Sequence, residues 1–126
     1  LFDFDGRLLH FVPRLRIRTL SGESIQGRTL PPERANPWLE DVLAEVGVLG
    51  ARGPVTLQAF LTDGEPTLSE INPRFGGGFP LTHRAGGRYP EWLLDLHAGT
   101  PREPRMGDYE SGLVMTRALT EYFVRP

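Results

Sequence analysis

The stretch from Thr67 to Gly78 restricts this chain more than any other. An extended run, Thr67 to Asn72, meets Pro73 and then the glycines Gly76, Gly77 and Gly78. Only backbone-permissive residues turn that tightly, so the pattern predicts a strand that stops abruptly and reverses. Side chains alternate along a strand, so Glu70 and Asn72 share one face and Ile71 turns into the core. Arg74 continues the row provided Pro73 does not turn the chain, with successive members about 7 Å apart. A second run, Val55 to Thr62, precedes it across Asp63-Gly64-Glu65-Pro66, which predicts a hairpin. If Asp63-Gly64-Glu65 forms a three-residue loop, Thr62 pairs with Pro66 and Gln58 falls opposite Glu70. A two- or four-residue loop sets Gln58 against Ser69 or Ile71, on the wrong face, unless a bulge restores the pairing.

The rest of the chain divides at its turn residues. Residues 1–18 read as a first hairpin turning at Asp5-Gly6, a type I′ signal, with Arg14, Arg16 and Arg18 on one face of its second strand and Leu15 and Ile17 on the other. Residues 19–35 carry Ser21-Gly22-Glu23, Gly27 and Pro31-Pro32 and read as a turn and then a loop, with Glu23 a turn residue. A helix follows, capped by Asn36 and entered by Pro37, with Leu39, Val42, Leu43 and Val46 on one face and Gly47 or Gly50 as its stop. A short helix is expected over Leu81–Ala85. Another starts near Pro90 and carries Trp92, Leu93 and Leu96 before Gly99. A loop fills 100–110, and residues 112–118 form a final strand. Trp38 and Trp92 read as core. His10, His83 and His97 lack metal-ligand spacing and read as surface or partly buried. The sum is an α/β or α+β chain with a largely antiparallel sheet and helices on one face.

At 126 residues there is room for one domain with one core, spanning 1–126. A formal charge of -2 with interspersed signs gives no footprint for nucleic acid or an anionic membrane. No apolar run is long enough to span a bilayer. The chain has no cysteine, which excludes disulfides, thiolate metal sites and a cysteine nucleophile, and fits a cytoplasmic setting. The opening Leu1-Phe2-Asp3-Phe4 reads as already inside a strand, so the chain is expected to be part of something longer.

Glu70, Asn72 and, across the hairpin, Gln58 are oxygen donors of the kind magnesium takes, with phosphate oxygens completing the shell. Arg74 adds planar donors for a phosphoryl group or carboxylate. The glycine amides of 76–78 are suited to cradling an anion.

The run Gln58…Glu70-Ile71-Asn72-Pro73-Arg74-Phe75-Gly76-Gly77-Gly78 resembles the ATP-grasp superfamily, above all its carbamoyl-phosphate synthase large-chain-like and amino-acid ligase members. The likeness extends more weakly to Asp3-Phe4-Asp5-Gly6, Val12-Pro13-Arg14-Leu15-Arg16, Ser21-Gly22-Glu23 and Ala85-Gly86-Gly87. It implies that Gln58, Glu70 and Asn72 bind magnesium (or manganese) and that Arg74 is the catalytic phosphate contact. It further implies that Arg16 and Gly76–Gly78 belong to the ATP site. The chain then corresponds to the C-terminal ATP-grasp subdomain. The expected reaction is ADP-forming ligation of a small carboxylate and an amine, or carbamoyl-phosphate synthesis, through an acyl phosphate.

The family's phosphate-binding lysines and adenine pocket find no counterpart here, so the missing N-terminal half is an expected partner and this polypeptide alone is expected not to turn over ATP. Assembly into a homo-oligomer is compatible with the sequence and not fixed by it. The competing readings are a non-catalytic nucleotide- or ligand-binding module of the same fold and a β-rich interaction domain. The latter would carry an apolar patch where these polar groups lie.

Overall fold

The computed structural model describes residues 1–32, 37–63, 65–118 and 120–125, the side chains of Pro37 and Glu65 excepted. The Asn36 cap and Gly64 fall outside those residues. In chain order the elements are β1 (Arg14–Leu20), β2 (Glu23–Thr29), α1 (Pro37–Val48), β3 (Thr56–Thr62), β4 (Glu65–Asn72), α2 (Phe79–Arg84), α3 (Tyr89–His97) and β5 (Val114–Thr116). The architecture is α+β and its strand pairings are antiparallel, in two sheets ordered β1-β2-β5 and β3-β4.

The chain does turn back around Asp5-Gly6, but the hairpin there is short: a single bridge, Phe2 to Leu8, with backbone bonds from the Asp3 amide to Arg7 and from the Leu9 amide to Leu1, and it does not run on through residue 18. Of the turn pair only Gly6 takes a positive φ, +93°, so no type I′ turn forms there. The Asp3 carboxylate organises the loop instead, accepting from the amides of Asp5 at 3.0 Å and Arg7 at 2.7 Å. An aspartate satisfying amides two and four residues on competes with a two-residue turn and wins. The type I′ geometry sits at Ser21 and Gly22, with φ 49° and 83°, joining β1 to β2. The stretch read as a loop is therefore mostly the central strand of a sheet, and Glu23 opens that strand.

Residues 1–9 still form the middle of the core. Leu9 and His10 amides reach back to the Leu1 carbonyl, and Phe2 exchanges both backbone bonds with Gly53 ahead of β3. Side chains alternate along this segment. Leu1 and Leu9 pack with Tyr89, Trp92, Leu93 and Leu96 of α3, while Phe2 and Leu8 pack with Leu43, Val46 and Leu39 of α1. One extended segment thus gives both long helices an apolar floor.

Each helix is bounded as its sequence suggests. Gly50, at φ +96°, follows the end of α1. Pro90 stands in the first turn of α3 and Gly99, at φ +81°, lies just past its end. A β-carbon on Gly27 of β2 would stand 3.2 Å from the Leu15 carbonyl of β1, tighter than side chains normally allow, and in ordinary contact, 3.6 Å, with Leu81 of α2.

His10 is fully buried, which corrects its reading as surface or partly buried. Its Nε2–H donates to the Asp108 carbonyl at 3.2 Å, so Nδ1 is left to accept from the Tyr89 hydroxyl at 2.9 Å. A backbone carbonyl only accepts, and that fixes the tautomer. Burial holds the His10 pKa below its ordinary value, against the pull of the Asp108 carbonyl. The imidazole binds a proton more readily in the unfolded chain, so stability rises with pH through the range below the ordinary histidine pKa and falls on acidification. The urea midpoint should drop as the pH falls below about 7. His10→Gln should show a shallower fall, and a flat or inverted profile in the parent chain would contradict the assignment.

Candidate active site

The β3–β4 hairpin carries the candidate residues, and its register decides whether they meet. Thr62 pairs with Glu65, so the turn has two residues and not three. Continued without interruption, that register would set Gln58 against Ser69. A bulge between Gln58 and Ala59 on β3, accommodating Ser69 of β4, moves the pairing by one, and Gln58 falls opposite Glu70. The Ser69 hydroxyl donates to the Gln58 carbonyl at 3.1 Å and fastens the bulge. Beyond it the ladder is regular, with Leu57 opposite Ile71 and Thr56 opposite Asn72. Gln58, Glu70 and Asn72 therefore share one face. On the other, Leu57 packs on the α1 cluster, while Ile71, expected in the core, stays 44% exposed.

Side chains link this face to the other sheet. Arg16 of β1 donates through Nη1 to the Gln58 amide oxygen and through Nη2 to the Gly22 carbonyl at 2.7 Å. The Gln58 amide nitrogen donates in turn to the Glu70 carboxylate. The result is a chain, Arg16 to Gln58 to Glu70, between the sheets. Register shifts on either side of Arg18 break the expected Arg14-Arg16-Arg18 alternation after Arg16. Arg14 is half-buried, and its Nη1 donates to the Thr82 hydroxyl at 2.7 Å. It ties β1 to α2 and is not an open anion contact.

Arg74 leaves the row. The strand ends at Asn72, the Arg74 amide folds back to the Asn72 carbonyl at 2.8 Å, and the guanidinium donates to the Phe75 carbonyl at 3.1 Å. Proline, lacking an amide hydrogen, ends the ladder at that point. The glycine loop that follows owes its composition to crowding and not to unusual φ, since none of the three residues takes a positive φ. A β-carbon on Gly76 would stand 2.8 Å from Thr56, and one on Gly78 3.1 Å from the Arg14 guanidinium, while Gly77 has open space. Among the described residues, the amides of Gly76, Gly77 and Gly78 donate to no backbone or side-chain acceptor. Arg117, just past β5, donates to the Gly77 carbonyl and pairs with Glu23 at 3.2 Å. The sequence offers little to mark Arg117, a cation directly after Thr116 at the end of the last strand.

Among the described residues no group of three or more His, Asp and Glu side chains converges to hold a metal. The face offers one carboxylate and two amides, a single negative charge. Such a set fits a hard divalent cation that arrives with phosphate oxygens, and holds a bare one only weakly.

Gly76→Ala should cost about 1–3 kcal/mol by forcing Thr56 aside, and Gly77→Ala within about 0.5 kcal/mol of nothing. Urea unfolding of both variants checks this, and equal losses would show that crowding is not what the glycines answer.

Over residues 1–120 the chain matches the family model described as ATP-grasp in the biosynthetic pathway with Ter operon. No curated protein matches it in sequence.

Proposed function

The chain belongs to the ATP-grasp family, a family of ATP-dependent ligase-type folds, and from that premise we propose that it carries the metal-binding half of an ADP-forming ligase acting on a carboxylate and an amine. The observation that carries the reading is the hairpin face on which Gln58 meets Glu70 with Asn72 next in line. In this proposal those three hold magnesium with its ATP, Arg16 and the free amides of Gly76–Gly78 meet anionic oxygens, and Arg74 contacts the transferring phosphoryl group. The metal–nucleotide would supply the phosphoryl group and neutralise its charge. The chain's own contribution is alignment: the paired strands hold the oxygen donors at fixed spacing, and the guanidinium groups of β1 and of the loop after β4 compensate negative charge.

Transfer of the γ-phosphoryl group to the carboxylate and attack of the amine on the resulting acyl phosphate is the proposed sequence. Carbamoyl-phosphate synthesis is the related variant that the sequence resemblance brings in. The chain contains no lysine, because its fourteen Lys and Arg residues are all arginine, so any phosphate-binding lysine must come from outside these 126 residues. We therefore assign the chain to the C-terminal ATP-grasp subdomain, and the complete enzyme to the cytoplasm.

Glu70→Ala in the complete enzyme should lower ATP-dependent ADP formation by at least roughly a hundredfold while leaving the melting curve nearly unchanged. Near-normal turnover would remove the metal assignment. The single carboxylate of the donor set also suits a nucleotide-binding module without catalysis. Magnesium-dependent nucleotide binding with no ADP formed on any carboxylate–amine pair would favour that second reading.

A further inference from the structure

The direction of the hydrogen bonds between Arg16 and Glu70 carries a consequence for the metal reading on which this inference rests. A guanidinium only donates and a carboxylate only accepts. An amide joining them stands one way, oxygen toward Arg16 and nitrogen toward Glu70, and Gln58 stands that way. A cation shared by Gln58 and Glu70 needs the opposite, with the amide oxygen beside the carboxylate. Turning the amide over would point its N–H groups at the N–H groups of Arg16, donor against donor. The cation and the guanidinium would also repel each other at close range. The two arrangements exclude one another.

We propose that Arg16 is a positioning residue that holds the Gln58 amide turned nitrogen-first toward Glu70, so that the pair accepts a divalent cation only when Arg16 lets go. Two features let it do so. Arg16 lies on the exposed side of β1, and the strand's register shifts immediately beyond it, between Arg16 and Arg18. An anion that gives the guanidinium better acceptors than an amide oxygen and the Gly22 carbonyl draws it away. A polyphosphate does this, because its oxygens carry negative charge as well as lone pairs and can take the planar guanidinium in a bidentate pair. Arg16 thereby couples metal binding to the arrival of phosphate: the bare cation meets a closed pair, and the cation that brings phosphate meets an open one.

The test is a double-mutant cycle on the affinity of the chain for Mn2+ alone, read by the loss of its free electron paramagnetic resonance signal. Arg16→Met should tighten Mn2+ binding about fivefold or more in the parent chain, and by at most about twofold when Gln58→Leu is already present. Removal of a positive charge acting only through its field would tighten binding equally in both backgrounds, and that result would overturn the relay. So would an Arg16→Met variant that binds Mn2+ no better than the parent. Glu70→Ala in the Arg16→Met background tests the underlying metal reading separately. Binding that survives it unchanged, or no binding by any of the variants, places the fault in the metal site itself, and the inference falls with it.

Discussion

A one-residue register shift in the β3–β4 hairpin is the constraint on which the candidate site depends. Side chains alternate with a period of two, so a slip by one residue exchanges the faces of an entire strand. The two-residue turn between Thr62 and Glu65 starts the ladder in the register that would place Gln58 against Ser69. The bulge at Ser69 corrects it before Glu70 is reached. Everything beyond follows from that correction: Asn72 lands opposite Thr56, Leu57 turns to the α1 cluster, and the Thr56 hydroxyl reaches the Arg74 carbonyl at 2.9 Å. The same threonine crowds Gly76, so the start of the glycine loop is set by the register as well.

The sequence made the hairpin legible because its signals are local. Alternation in Thr67–Asn72, the breaking Pro73 and the Asp63-Gly64 turn each act over two or three residues. The three helices were legible for the same reason, with α2 starting two residues ahead of expectation. The failures all involve competition between signals. Asp5-Gly6 looks like the better hairpin turn, but Asp3 binds the amides that a hairpin would need, and Ser21-Gly22 takes the geometry instead. β2 was hidden because Gly27 reads as a breaker, whereas it sits inside the strand, close against the Leu15 carbonyl of β1. His10 carried no local mark of burial. Its place is made by Tyr89 and Asp108, distant in sequence.

The candidate residues divide along the same line. Gln58, Glu70 and Asn72 lie on one hairpin; strand periodicity puts Glu70 and Asn72 on one face, and the bulge at Ser69 brings Gln58 to it. Arg74 does not extend their row, because the proline that marks the strand's end also turns the chain. Arg16 approaches from the other sheet, a contact no pattern within either hairpin encodes. Arg14 illustrates how little a shared strand face guarantees: burial against Thr82 and Gly78 makes it a structural tie.

The balance of charge around this face narrows what it can receive. The chain as a whole is slightly acidic, yet Arg16, Arg74 and Arg117 gather near the hairpin end and the glycine loop. Among the described residues, Arg117 alone of these is given a carboxylate directly, the well-exposed Glu23. Arg16 and Arg74 rest on an amide oxygen and backbone carbonyls, acceptors with no charge of their own. Guanidinium groups held on neutral acceptors keep most of their attraction for an anion, and planar donors suit phosphate and carboxylate oxygens. One carboxylate among them holds a bare cation weakly, and a cation that brings more negative charge than it cancels is held better. A divalent metal on a triphosphate is such a guest, so in the proposed reading the electrostatics and the oxygen donors of the hairpin favour the same class by separate routes.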